Sequence, residues 1–328
     1  MPPARFCRTP ESLDRRSDTG FISGGSLFAG DQVGRLVGRR DEMKTLPAIA
    51  FLHFLLAAPA TAQLKVLVSV DMEGIAGVAH FSATSESQNQ YSYFRRVMTK
   101  EANAAIEGAL AAGATTVIVR DAHGSKRNLL PEELRQEALL VTGVDPGPKN
   151  MVLPVDDTFD AVVFVGYHAK AGTPDAILEH VSTGTVRDLS INGVSMLEGG
   201  YNALIAGLYD VPVVFVSGDE AACNQLTALL GNIETVAVKQ AIGSVAVSVH
   251  PAVARERIRV GVEKALRSID SHVPYKLAAP YTMRLELKSE SLISKATLYP
   301  GMTRTGSWAV EYTSDDLLEV MNAFNAVK

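Results

Sequence analysis

From Leu64 onward, short apolar runs rich in β-branched residues alternate with longer segments whose apolar positions recur every three or four residues. The first kind predicts buried strands and the second amphipathic helices; their alternation predicts an α/β fold with a largely parallel sheet flanked by helices. Strands are expected over 64–71, 115–121, 139–142, 161–167, 211–217, 234–240, 282–288 and 307–313. Helices are expected over 92–112 (stopped by Gly113), in a short piece from Pro131, and over 199–209, 220–230, 251–269 and 314–326, the last with Ser314 as N-cap. Asn192-Gly193 between short apolar runs predicts a hairpin.

The pattern differs before Leu64. Residues 1–42 show no sustained period and are expected to be a non-native or disordered extension, with Met43 the true start. From Met43, Lys44, the apolar run Leu46–Ala58 and Ala60-Thr61-Ala62 follow the layout of a signal peptide, so residues 43–62 are expected to direct export to the periplasm or medium. That run is shorter than the roughly 20 residues of a spanning helix, so no membrane association is expected after processing. Residues 63–218 are expected to form the catalytic α/β domain, and 219–328 a smaller C-terminal α/β domain of scaffold or assembly type. The net charge of −5 without a basic block excludes nucleic acid as an expected partner. Only Cys223 follows the leader, which excludes an intrachain disulfide in the processed protein.

Three apolar runs end in chemistry. VLVSVDME ends in Asp71 and Glu73, TTVIVRDAH in His123 and AVVFVGYH in His168. In open α/β sheets ligands bind outside the carboxyl ends of the strands, so these ends share one edge. Asp71 and Glu73 are two residues apart, and continued strand geometry would turn both to one side. Such carboxylates also cap turn amides, and a single histidine has many structural uses. Asp121 is placed to orient His123, or to cap its loop. Glu198 opens a predicted helix, where the helix dipole alone favours it. Asp219 and Glu220 are expected to begin a helix rather than join a site.

Oxygen and nitrogen donors without thiolates suit zinc or a neighbouring divalent ion. Asp, Glu, two His and a further Glu exceed what one four-coordinate zinc with an open position requires, and suit two metals sharing a carboxylate. Hydrolysis is the matching reaction class, with His180 the spare imidazole for proton transfer.

SVDMEGI at 69–75, DAH at 121–123, GYHA at 166–169, His180 and LEGGYNA at 197–203 resemble, in order and spacing, the D-aminopeptidases of the DppA type, peptidase family M55. The likeness extends over 64–328, including VKQ at 238–240 and the PG…TG pattern at 300–306. It implies two Zn2+ per subunit, with Asp71 bridging and Glu73, His123, His168 and Glu198 completing the ligands. It also implies a catalytic role for His180, read here as acid/base, release of N-terminal D-amino acids such as D-Ala from short peptides, and a ring-like homo-oligomer. Glu179 before His180 and the leader depart from the family pattern. The alternatives are a metallohydrolase acting on another amide or ester, and a periplasmic metal- or peptide-binding protein without turnover.

Overall fold

A computed structural model describes residues 63–328 of the chain; the expected extension and signal peptide lie outside the described residues. The elements run β1 (Leu64–Val70), α1 (Tyr91–Ala111), β2 (Ala114–Asp121), β3 (Ala138–Val141), β4 (Ala161–Tyr167), β5 (Val186–Ile191), β6 (Val194–Ser195), α2 (Glu198–Gly207), β7 (Val213–Asp219) and α3 (Glu220–Leu230). Then follow β8 (Glu234–Ile242), β9 (Val245–Ser248), α4 (Pro251–Arg267), β10 (Tyr281–Leu287), α5 (Glu290–Ala296), β11 (Thr303–Arg304), β12 (Ala309–Ser314) and α6 (Leu317–Val327).

Seven strands form the first sheet in the order β3-β2-β1-β4-β7-β8-β9. All its pairs are parallel except β8 with β9. The chain proceeds outward from β1 through β2 to β3, then returns to β4 on the other side of β1. That reversal makes the crevice beyond β1 and β4 a topological switch point, where open parallel sheets bind ligands. β4 and β7 are buried at every position, which explains their unbroken apolar character.

β1 alternates between two apolar clusters. Val66, Val68 and Val70 face α1 and α4 through Ile106, Ala109, Ile258 and Val262. Leu67 faces the other way, into a cluster with Val162 and Phe164 of β4, Tyr201, Leu204 and Ile205 of α2, and Leu189, Met283 and Phe324 beyond. Burying one such side chain contributes about 1.5–3 kcal/mol. α2 is buried on all sides between the first sheet and the second, an antiparallel sheet of order β11-β12-β10-β5-β6 backed by α6. The expected boundary at residue 218 does not coincide with the sheets. β5 and β6 precede it yet belong to the second sheet, whereas β8 and β9 follow it yet extend the first.

Three local expectations differ. Ser314 is the last residue of β12, paired with Tyr281, so the N-cap of α6 is Asp316, whose carboxylate accepts from the Leu318 amide. β7 starts after Pro212 rather than at 211, because proline has no N–H for a ladder. β9 and α5 had no expected counterpart; β9 is largely exposed and α5 has seven residues, so neither carries a strong period. Among the described residues no helix is long and apolar enough to cross a membrane.

Candidate metal centre

Asp71 follows β1, and its amide donates to the Val165 carbonyl of β4 (2.8 Å). Strand geometry does not continue to Glu73. The chain turns at once, with Ile75 N donating to Met72 O (3.2 Å) and Gly74 N to Gly166 O (2.7 Å). The two carboxylates therefore converge through a turn, not through strand alternation. This turn needs glycine: a Cβ on Gly74 would lie 2.0 Å from the Tyr167 carbonyl oxygen. Gly166, at φ +73°, is the other side of the same approach, and a Cβ there would lie 2.3 Å from Asp71 O. Its left-handed backbone interrupts the β4–β7 register, so Tyr167 joins Phe164 on the α2 side.

The six expected site residues come together in two adjoining groups. Asp71, Glu73 and His123 form one, and His168, His180 and Glu198 the other; within each group one donor atom per residue lies within 4.8 Å of the others. His123 Nδ1 is 3.3 Å from Asp71 Oδ1 and 3.0 Å from Glu73 Oε2. His168 Nε2 is 3.5 Å from both Asp71 Oδ2 and Glu198 Oε1, and His180 Nε2 is 3.5 Å from Glu198 Oε1. Asp71 thus turns one oxygen to each group.

Backbone carbonyls orient all three imidazoles. His123 Nε2 donates to Thr84 O (2.9 Å), His168 Nδ1 to Ala169 O (3.0 Å) and His180 Nδ1 to Leu178 O (2.9 Å). A carbonyl only accepts, so each outer nitrogen carries the proton, and the inward nitrogen is left to bear a lone pair or a second proton. The rings of His168 and His180 stack at 4.0 Å, and half-exposed Phe81 meets His180 edge-on at 6.2 Å. Glu198, in the first turn of α2, is held by the Ser182 amide, which donates to Oε1 (2.6 Å).

Asp121 does not touch the His123 ring. Its carboxylate accepts from Asn128 N (2.5 Å), Asn128 Nδ2 (2.7 Å) and Leu129 N (2.8 Å), closing the loop that carries His123. Asp219 caps α3 by accepting from Ala222 N (2.6 Å), as its position before a helix implies. The other three described histidines are structural: His80 and His250 cap helical turns, and His272 donates to Asn232 O (2.8 Å).

The centre demands positive charge. Burial alone would raise the Glu73 carboxyl, but the His123 charge and hydrogen bond outweigh it and hold the group well below the usual carboxylate range. Glu198 is likewise brought to about 2, with burial opposed chiefly by His168. Burial would lower His168, yet Glu198, Asp71 and Glu73 lift it to about 10; His123 is raised too, again against burial. Protons on the imidazoles meet that demand, and so do divalent cations. The buried atoms Asp71 Oδ2 and His168 Nε2, 3.5 Å apart, have no hydrogen-bond partner. Left so they would be costly; carboxylate and imidazole donors so arranged fit zinc.

Two buried lysines escaped sequence reasoning. Lys126 donates from Nζ to Ala122 O, and its pKa is lowered by burial against the pull of Asp71 and Glu198. Lys239, on β8, reaches the loop after Asp71. Its motif VKQ marks it, but nothing in a strand sequence tells which way a lysine turns.

Comparison with known proteins identifies the family. The family model for D-aminopeptidase, peptidase family M55, matches residues 64–326. A D-aminopeptidase of Bacillus subtilis (strain 168) is 37% identical over 262 residues, which is 79% of this chain and 95% of the relative. The solved structure described as the Zn-dependent D-aminopeptidase DppA from Bacillus subtilis, a self-compartmentalizing protease, superposes with a TM-score of 0.77 at 35% identity. It covers 80% of this chain and 95% of its own. The chain therefore belongs to the D-aminopeptidase family M55, a family of hydrolases.

Proposed function

We propose that the chain is a binuclear zinc aminopeptidase that releases N-terminal D-amino acids, D-Ala among them, from short peptides. The observation that carries the two-metal reading is the division of Asp71, with Oδ1 toward His123 and Oδ2 toward His168. Asp71 would bridge, Glu73 and His123 would complete one site, and His168 and Glu198 the other. Bound zinc supplies Lewis acidity toward a scissile carbonyl and lowers the pKa of water.

The chain's own residues do the rest. Three buried carboxylates would offset three of the four positive charges of two divalent ions, and the carbonyls of Thr84 and Ala169 keep the ligand imidazoles in register. His180 is partly exposed and has its Nδ1 proton tied to Leu178 O, so Nε2 is the atom that exchanges a proton with the leaving amine. A fourth ligand role is the competing assignment, since His180 Nε2 stands as near to Glu198 as His168 Nε2 does. His180→Ala separates them: loss of turnover with zinc retained supports proton transfer, and parallel loss of zinc and turnover refutes it.

The substrate reading is tested by incubating purified protein with zinc and a panel of D- and L-aminoacyl amides, short peptides and esters. Release from D-substrates is expected; turnover confined to L-peptides or esters would identify another metallohydrolase, and no turnover with two zincs bound a binding protein. The self-compartmentalizing description of the DppA relative supports a homo-oligomer here, with a ring as its proposed form. Export through residues 43–62 belongs to the same proposal and would bring the enzyme to cell-wall peptides, which contain D-alanine.

A further inference from the structure

The loop from Asp71 to Val78 carries two expected metal ligands, and its far side is closed by a charge. Lys239 Nζ donates to Glu73 O, to Val78 O (2.6 Å) and, at 3.4 Å, to Ile75 O. An ammonium has three N–H donors, and all three here go to carbonyls of one eight-residue loop. Lys239 is almost wholly buried, and no carboxylate is hydrogen-bonded to its Nζ. Glu101 of α1 complements it by accepting the Ala76 amide (3.0 Å), and Ser248 accepts the Gly77 amide (2.8 Å).

A buried ammonium is costly, and an apolar side chain would fill the same volume more cheaply if filling were its only use. One of its three partners is the carbonyl of Glu73 itself. The lysine therefore fixes the peptide plane at a ligand residue, whose side chain leaves the same backbone toward His123. The other half of the centre is held independently. His168 is oriented by Ala169 O, and Glu198 by Ser182 N, neither of which Lys239 contacts. Two indirect routes exist: Asp219, beside Lys239 in the β7–β8 register, reaches the Ala169 amide only at a long 3.4 Å, and the Gly74 amide meets the Gly166 carbonyl, main chain to main chain, without touching the His168 ring or its Ala169 partner.

We propose that Lys239 is a positioning residue for one half of the metal centre: by gathering the carbonyls of Glu73, Ile75 and Val78 it holds Glu73 beside His123. The Asp71/Glu73/His123 site depends on it and the His168/Glu198 site does not. This rests on the two-metal reading, and the experiment keeps the two apart.

Zinc content of the full-length holoprotein is measured after equilibration with graded chelator, for wild type and Lys239→Met, with circular dichroism as the check on folding. Wild type is expected to release two equivalents; a single equivalent refutes the two-metal reading, and this inference with it. Lys239→Met is expected to weaken one equivalent by about tenfold or more, the usual effect of removing an outer-shell partner, and to leave the other within about twofold. Because the lysine acts through Glu73, Lys239→Met should add almost nothing in a Glu73→Ala background and its full factor in a His168→Ala background. If Lys239→Met does not fold, Lys239→Gln, which keeps two donors without the charge, is expected to show the same selective loss in smaller measure. Equal weakening of both zincs, unchanged binding, or a full effect in the Glu73→Ala background overturns the proposal.

Discussion

Glu101 tests the electrostatics under the ligand loop. It is fully buried on α1; Oε1 accepts the Ala76 amide, and Oε2 has no hydrogen-bond partner. Burial pushes its carboxyl up from 4.5 to about 7, against the Ala76 hydrogen bond and the charges of Lys239 and Arg255. The folded protein then keeps a proton that the unfolded chain has already lost, so stability falls as pH rises from about 4.5 to about 7. At about 1.4 kcal/mol per pH unit the full loss is about 3 kcal/mol, of which about 2 kcal/mol falls between pH 5 and pH 7. Glu101→Gln keeps the acceptor for Ala76 and removes the titration. Urea unfolding of both proteins over that interval, at equal zinc, should therefore show wild type losing about 2 kcal/mol relative to the variant. Groups common to the two cancel, and Lys239, lowered by burial to about 8, stays largely protonated in wild type. A pH-independent difference would mean that Glu101 is ionised in the fold, its charge matched to Lys239, and would refute the burial argument.

The other predictions concern the centre and the leader. Asp71→Ala should lose more zinc on dialysis than Glu73→Ala, because Asp71 faces both donor groups and Glu73 one; an Asp71→Ala protein holding two equivalents refutes bridging. Gly74→Ala sets a methyl group 2.0 Å from Tyr167 O and should cost about 4 kcal/mol or more, so a melting temperature within a degree of wild type would show that the β1–β4 approach yields. Expression from Met43 in a Gram-negative host should yield a periplasmic protein beginning at Gln63; an intact cytoplasmic product counts against export.

The first sheet was readable because its central strands are buried on both faces and therefore unbroken in apolar character. The partition between sheets was not. The hairpin at Asn192-Gly193 reads as part of the first domain, and only the pairing of Val186–Ile191 with Tyr281–Leu287, about a hundred residues later, sends it to the second sheet. Pairing at that distance leaves no local period. For the site, carboxylates and imidazoles at the ends of apolar runs were a strong signal because the sheet gathers those ends at one edge. Glu198 was weak, since a glutamate opening a helix has a sufficient local reason to be there. The partner of Asp121 was open for a related reason: two residues before His123, it has the ring and the loop amides equally within reach.

The parts of the centre that no sequence pattern marks are main-chain atoms. Thr84, Ala169 and Leu178 orient the three imidazoles through carbonyls, and Glu73, Ile75 and Val78 receive Lys239 in the same way. Every residue type offers the same carbonyl, so selection for these contacts acts on the path of the chain and not on the side chains at those positions. What a sequence can carry is whatever keeps that path, which here means Gly74 and Gly166, where a side chain would strike the neighbouring strand. Replacing the Ala169 side chain with another of similar volume should accordingly spare zinc binding, whereas a single methyl group on Gly74 should not.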